Sequence, residues 1–187
     1  MKRYGLLGRR LEHSYSPEIH RSFGAYSYEL FEKEPDEVVP FLKEADFDGI
    51  NVTVPYKKAV LPYLDRLTDR AEEIGSVNTI VKLPDGRLAG DNTDLYGFAF
   101  LLEHTQIPVA GKKALVLGSG GASAAVRKVL TDKGADVFII SRTGENRYSD
   151  LGAHTDARLI VNATPVGMYP ENFHTPCPSK VSRISRA

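Results

Sequence analysis

Residues 113–141 read KALVLGSGGASAAVRKVLTDKGADVFIIS, and their pattern decides the fold class. Lys113-Ala114-Leu115-Val116-Leu117 has the length and apolarity of a short buried strand, and Gly118-Ser119-Gly120-Gly121 follows it directly. A helix is expected from Ala122 to Lys133, stopped by Gly134, and a second strand from Asp136 to Ser141. Strand, helix and strand in that order make a βαβ unit, which joins parallel strands and marks an α/β protein. Leu159–Ala163 reads as one more strand, and no regular pattern is visible after Pro170.

The glycine loop departs from strict G-x-G-x-x-G, because Ser123 stands where the third glycine would. Its setting still points to a dinucleotide. It follows an apolar strand and opens a helix, where glycines allow a tight turn and backbone N–H groups meet a pyrophosphate. Gly118, Ser119, Gly120, Gly121 and Ala122 are therefore the candidate cradle. An NAD-selective domain ends its next strand in an acidic residue, whereas here that place is taken by Ser141-Arg142-Thr143. The Arg142 guanidinium suits a 2′-phosphate, with Ser141 and Thr143 as further donors, which favours NADP over NAD. Arg142 is also readable as a solvated residue at a strand end.

Outward from this unit, residues 98–111 contain the end of an amphipathic helix (Leu95, Phe98, Leu101, Leu102) and a break from Pro108 to Gly111. Upstream, residues 1–97 alternate strands and helices. Strands are expected at Tyr4–Gly8, Ser27–Glu32 and Gly49–Pro55, and a hairpin at Asn78–Leu83 and Arg87–Ala89 around Pro84-Asp85-Gly86. One helix is expected from Pro17 with Ser16 as its N-cap, and another capped by Asp36. The reading is thus α/β throughout. A mixed, mostly parallel α/β domain (1–97) and a connector (98–111) lead to a partial Rossmann-like domain (112–171) and a tail (172–187).

Composition narrows the function. Lys and Arg number 24, as do Asp and Glu, so the chain lacks the broad positive field of a sequence-independent nucleic-acid binder. Its single cysteine, Cys177, excludes a disulfide framework and any Cys-rich metal site. Five histidines show no H-x-x-x-H spacing, so no metal is expected. With no signal-peptide pattern and no run approaching about 18 apolar residues, a cytoplasmic protein without membrane or nucleic-acid partners is expected.

Polar residues cluster in the first domain where simple packing does not demand them: Ser14-Tyr15-Ser16, Asn51 to Lys57, Asn78-Thr79 and Asp91-Asn92-Thr93-Asp94. Alternation along the third strand sends Asn51 and Thr53 to one side and Val52 and Val54 to the other. Lys57 falls where a strand's carboxyl end meets the ligand crevice of an α/β sheet. Taken singly, Lys57 beside Lys58 reads as a surface pair, Asp94 as a helix cap and Asn78 as a turn residue. Tyr15, Phe23 and the stretch 26–28 read as packing.

In order and spacing, these strings resemble the shikimate dehydrogenase family: Ser14-x-Ser16, Asn51-Val52-Thr53-Val54-Pro55-Tyr56-Lys57, Gly75–Thr79 and Gly90–Asp94 in the first domain, then Gly118–Ala122, Ser141-Arg142-Thr143 and Asn162–Met168. The resemblance implies an NADP-dependent oxidoreductase that reversibly reduces 3-dehydroshikimate to shikimate, with residues 1–97 as its substrate domain. It implies Lys57 and Asp94 as the catalytic pair, Ser14 and Ser16 on the substrate carboxylate, and Thr53, Asn78 and Asp94 on its ring hydroxyls. Gly118 to Ala122 would hold the pyrophosphate, Arg142 the 2′-phosphate, and Met168 would lie near the nicotinamide. Which of Lys57 and Asp94 is the formal acid stays open.

The resemblance ends at Met168, whereas the family continues with further strands and a helical segment returning to the first domain. The stretch from Asn172 is expected to be poorly ordered or to adopt a conformation foreign to the family, and exposed apolar surface to favour a homo-oligomer. Two other readings stay open: a quinate/shikimate dehydrogenase, and a truncated, inactive fragment that keeps only ligand binding or association.

Overall fold

A computed structural model describes residues 2–169 and 171–177. The chain divides into two compact units, Met1–Thr93 and Asp94–Ala187.

The first unit contains strands β1 (Arg3–Gly8), β2 (Ser27–Glu32), β3 (Gly49–Val52), β4 (Arg66–Leu67), β5 (Thr79–Lys82) and β6 (Leu88–Asp91), with helices α1 (Ser16–Arg21), α2 (Val38–Glu44) and α3 (Asp69–Ile74). The sheet order is β2-β1-β3-β5-β6-β4. Strands β2, β1 and β3 run parallel, β5 is antiparallel to both β3 and β6, and β4 is parallel to β6. This is the mixed, mostly parallel sheet expected. A core of Leu7, Phe31, Val38, Leu42, Ile50, Val52, Val60, Val77 and Ile80 fills one side of it. At about 25 cal/mol per Å² of apolar surface, burying such side chains dominates the unit's stability.

Local details depart from the sequence reading. Helix α1 starts at Ser16 itself; Tyr15 holds the cap position without a side-chain bond, so Ser16 is not the N-cap. Asp36 does not cap α2 either: Glu37 precedes the helix, and its carboxylate accepts the Glu34 N–H at 2.7 Å. Strand β3 stops at Val52, three residues short of Pro55, because the chain turns after the Thr53 N–H reaches the Leu7 carbonyl at 2.8 Å. Alternation therefore does not extend to Val54, which is exposed. Helix α3 and strand β4 were not anticipated. Thr68 caps α3 by accepting the Ala71 N–H, and Gly75 ends it at φ 63°, a left-handed conformation that suits glycine.

The second unit contains α4 (Asp94–Thr105), β7 (Lys113–Leu117), α5 (Gly121–Asp132), β8 (Asp136–Ile140) and β9 (Leu159–Asn162). Its all-parallel sheet has the order β8-β7-β9. Helix α4 packs on α5 through Leu95, Phe98, Ala99 and Leu102 against Val126 and Val129, so it belongs with this unit. On another core, Leu115, Leu117 and Ile140 meet Leu151, Ala157 and Cys177. Residues 172–177 form turns and bends, with Cys177 buried; the rest of the expected irregular tail, 178–187, lies outside the described residues.

Candidate functional site

Sheet topology gathers the polar residues of the first unit at one edge. Strands β1 and β3 are parallel, so the segments following Gly8 and Val52 leave from the same side. Strand β5 is antiparallel to β3 with Thr79 opposite Asn51, which brings Asn78 to that side; Asp91 is opposite Thr79, which brings Asn92 and Thr93 there as well. Ligand sites in open α/β sheets lie at such an edge.

Backbone bonds tie these segments together. Asn78 accepts the Val52 N–H at 2.7 Å and donates its own N–H to Asp91 at 3.0 Å, while the Lys57 carbonyl accepts the Val77 N–H at 2.7 Å. Tyr56 is buried and its hydroxyl donates to the Lys33 carbonyl, which anchors the turn that carries Lys57. Thr53 and Lys57 are half-buried. Gly8 leaves room for this packing: a Cβ there would lie 2.7 Å from Thr53 Cγ2 and 2.5 Å from Leu11 Cδ2 and would displace those side chains. Asn78 is buried and clamps Thr93, its Oδ1 accepting the Thr93 N–H at 2.9 Å and its Nδ2 donating to Thr93 Oγ1 at 3.0 Å. Asn92, with 0% exposure, donates to the Ser76 carbonyl at 2.9 Å.

The two carboxylates of the Gly90–Asp94 string differ in surroundings. Asp91 accepts from Arg70 Nε, Thr68 Oγ1 and the Asn92 N–H at 2.6, 2.6 and 2.7 Å. The Arg70 guanidinium, more than the other donors, holds its carboxyl down at about 2. Asp94 instead opens α4 in the second unit, half-buried. At the other end of the edge, Ser14 donates its N–H to Leu11 at 2.9 Å, and its Oγ accepts the Ser16 N–H at 3.2 Å.

Sequence reasoning missed Tyr28, read there as packing. Its hydroxyl donates to Asn51 Oδ1 at 2.8 Å. Burial pushes the phenol up to about 12, opposed by a hydrogen bond from the Ser16 side chain. The His20 ring stacks on it at 3.7 Å and 15°. Asn51 in a half-buried strand was the available signal, since a buried amide needs partners. These groups line a cavity of about 460 Å³ whose walls include Tyr4, His20, Tyr26, Tyr28, Asn51 and Thr79.

In the second unit, register sets Leu117 opposite both Ile140 and Asn162, so the segments after all three strands leave one edge side by side. Gly118 has φ 107°, and a Cβ there would lie 3.0 Å from the Ala163 carbonyl oxygen, so the loop can run there only as glycine. A Cβ on Gly120, at the N-cap of α5, meets nothing within 4 Å; the space above the helix N-terminus is open. Arg142 and Thr143 are exposed beside the loop, whereas Ser141 is buried and its hydroxyl accepts the Gly144 N–H at 2.8 Å. Ser141 thus shapes the turn that presents Arg142. Asn162 organises the loop after β9, accepting from Thr164 and donating to the Val166 carbonyl at 2.9 Å. Met168 is exposed at its end. Glycines at a helix N-terminus, an exposed guanidinium and open space together fit a dinucleotide bearing a 2′-phosphate.

Comparison with known proteins bears on both units. Residues 6–80 match the family model for the shikimate dehydrogenase substrate binding domain. A Clostridium beijerinckii shikimate dehydrogenase (NADP(+)) is 38% identical over 198 residues, which cover 94% of this chain and 72% of the relative. The chain belongs to the shikimate dehydrogenase family. Its fold agrees: the crystal structure of shikimate dehydrogenase 1 from Peptoclostridium difficile superposes with a TM-score of 0.91 at 34% identity, covering 98% of this chain and 74% of that one. The Thermus thermophilus shikimate 5-dehydrogenase, solved with NADP(H) and shikimate, gives 0.83 at 36% identity over 97% and 75%. Shikimate dehydrogenases thus match both the mixed sheet and the Rossmann-like unit. Among the described residues no helix is long and apolar enough to cross a membrane.

Proposed function

We propose that this chain is an NADP-dependent shikimate dehydrogenase that interconverts 3-dehydroshikimate and shikimate. The observation carrying the reading is that one sheet edge gathers two serines, a threonine, a lysine and an asparagine from segments 14–16, 53–57 and 78, in a chain of this family. Neutral hydroxyls at Ser14 and Ser16 suit a carboxylate, while Thr53, Asn78 and Asp94 suit ring hydroxyls. Gly118 to Ala122 and Arg142 would hold NADP, which supplies or accepts the hydride when bound.

Reducing a carbonyl leaves negative charge on its oxygen. The proposed role of Lys57 is to place an ammonium at that oxygen, stabilise the charge and deliver the proton, with Asp94 as the other member of the pair. The geometry supports a fixed Lys57: it follows a buried, hydrogen-bonded Tyr56, and its carbonyl is bound to the strand that presents Asn78. The proposal includes a cytoplasmic location, which suits a chain with one cysteine, and a homo-oligomer, which sedimentation would reveal.

The decisive assay is shikimate-dependent formation of NADPH by the 187-residue chain. Lys57→Ala is expected to lower kcat by about 10²–10⁴-fold and leave the Kd for NADP⁺ unchanged, as for loss of a proton donor. Equal loss of cofactor affinity would remove Lys57 from the role. A parent chain that binds NADP⁺ but reduces it only with quinate would move the assignment to the quinate branch.

A further inference from the structure

We infer that Glu32 is a positioning residue for the bound substrate: its carboxylate holds the Leu11 N–H and thereby sets the turn that presents Ser14 and Ser16. The inference rests on the proposed role of those serines and deepens it.

Glu32 is the last residue of β2 and lies opposite Gly8, the last residue of β1. Alternation puts its side chain on the face of β2 that carries Tyr28, where α1 packs through His20. Beyond Gly8 the chain leaves the sheet, so the backbone N–H groups of residues 9–15 have no ladder and need other acceptors. Glu32 supplies one of them: its Oε1 accepts the Leu11 N–H. From Leu11 the bonds run straight to the serines. The Leu11 carbonyl accepts the Ser14 N–H at 2.9 Å, closing a turn, and Ser14 Oγ accepts the Ser16 N–H at 3.2 Å where α1 begins.

Both ends of this run of bonds are fixed. The Leu11 side chain is buried beside Gly8. After Glu32, Lys33 donates its N–H to the Gly8 carbonyl at 3.1 Å, its own carbonyl accepts the Tyr56 hydroxyl, and Glu34 accepts from Arg9 Nε at 2.9 Å. Glu32 thus meets Leu11 from a segment that is itself tied down, and an ionised acceptor makes the stronger bond to an N–H. Leu11 is the pivot: its side chain anchors the turn to the sheet, and its N–H, held by Glu32, fixes how the turn is rotated about that anchor. Without the carboxylate Leu11 stays buried but the turn can swing, and the serine hydroxyls lose their set position relative to Thr53 and Asn78.

Glu32→Ala removes the acceptor at an exposed position. Calorimetric titration of the full chain with shikimate is expected to give a Kd about tenfold weaker, the size of a hydrogen bond to a charged group. KM should rise in step, with kcat changing less than twofold and the Kd for NADP⁺ unchanged. Glu32→Gln, whose amide oxygen can still accept the Leu11 N–H, is expected to recover most of the loss. Glu32→Asp keeps the charge but is one methylene shorter, and it is expected to behave like the alanine variant. Once Ser14 and Ser16 are both alanine, Glu32→Ala should weaken shikimate no further. An unchanged Kd for shikimate in Glu32→Ala, a glutamine variant as weak as alanine, an aspartate variant that binds as the parent does, or losses additive with the serine substitutions would overturn the inference while leaving the proposed function standing. A lowered urea midpoint with no change in Kd would overturn it too, since Glu32 would then hold only the fold. A parent chain that does not bind shikimate would overturn both. If Glu32→Ala does not fold, the contrast between Glu32→Gln and Glu32→Asp carries the test.

Discussion

Asp91 and Asp94 stand three residues apart in one motif, and sequence spacing gives no means of telling which one faces chemistry. The distinguishing partner, Arg70, lies 21 residues upstream on a helix that periodicity did not show, so Asp91 becomes a structural residue only once the fold brings α3 beside β6. Its carboxyl is depressed from the ordinary 3.8 to about 2, chiefly by Arg70, so the folded state binds the proton less readily than the unfolded chain. The resulting stabilisation is present above about 3.8 and is lost as pH falls through about 2. Asp91→Asn should remove that acid-side dependence and cost roughly 1.5–3 kcal/mol at neutral pH, as for a hydrogen bond to a charged group. Urea denaturation at pH 7 and at pH 3 checks it: an unchanged midpoint at both would show that the pair contributes nothing.

Elements with a clear apolar period or a turn signature were legible, and those held by other means were not. The hairpin of β5 and β6 was readable from Pro84-Asp85-Gly86, and the βαβ unit from its apolar strands and glycines. Helix α3 is short and largely polar, with Asp69, Arg70, Glu72 and Glu73, so no stripe marked it; Thr68 and Gly75 at its ends were the only local signals. Helix α1 was legible as a helix, but how it is held was not, because its anchors are Tyr26, just before β2, and Tyr28 on β2. That mode of attachment has a pH signature. Burial lowers the pKa of His20 from its ordinary 6.5, so the unfolded chain takes up the proton first. Stability should therefore rise with pH through the window just below 6.5 and lose the His20 component as pH falls. His20→Phe keeps a ring over Tyr28 and cannot titrate. Denaturation midpoints measured from pH 5 to 7 should fall less steeply with acid for the variant than for the parent; parallel curves would show that His20 does not contribute.

At the scale of the molecule, each unit has an apolar core of its own: Leu7, Val52 and Ile80 belong to the first, Leu115, Leu130 and Ile140 to the second. A domain that buries its own apolar surface can unfold as its own cooperative step. The residues proposed to hold NADP, from Gly118 to Met168, all lie in the second unit. A ligand that binds only the folded form stabilises it by RT ln(1 + [L]/Kd), about 2.7 kcal/mol at one hundred times Kd. For a unit of this size that corresponds to roughly 10–20 °C in Tm. Calorimetric scans of the full chain should therefore show two transitions, of which NADP⁺ raises one and leaves the other within a few degrees of its place. Lys57→Ala should leave that pattern intact, since Lys57 lies in the first unit, whereas Gly118→Val should abolish the NADP⁺ shift because its side chain would meet the Ala163 carbonyl and the Thr164 methyl. One transition that NADP⁺ moves as a whole would show that the two cores unfold together, and a shift that survives Gly118→Val would move the cofactor away from the glycine loop.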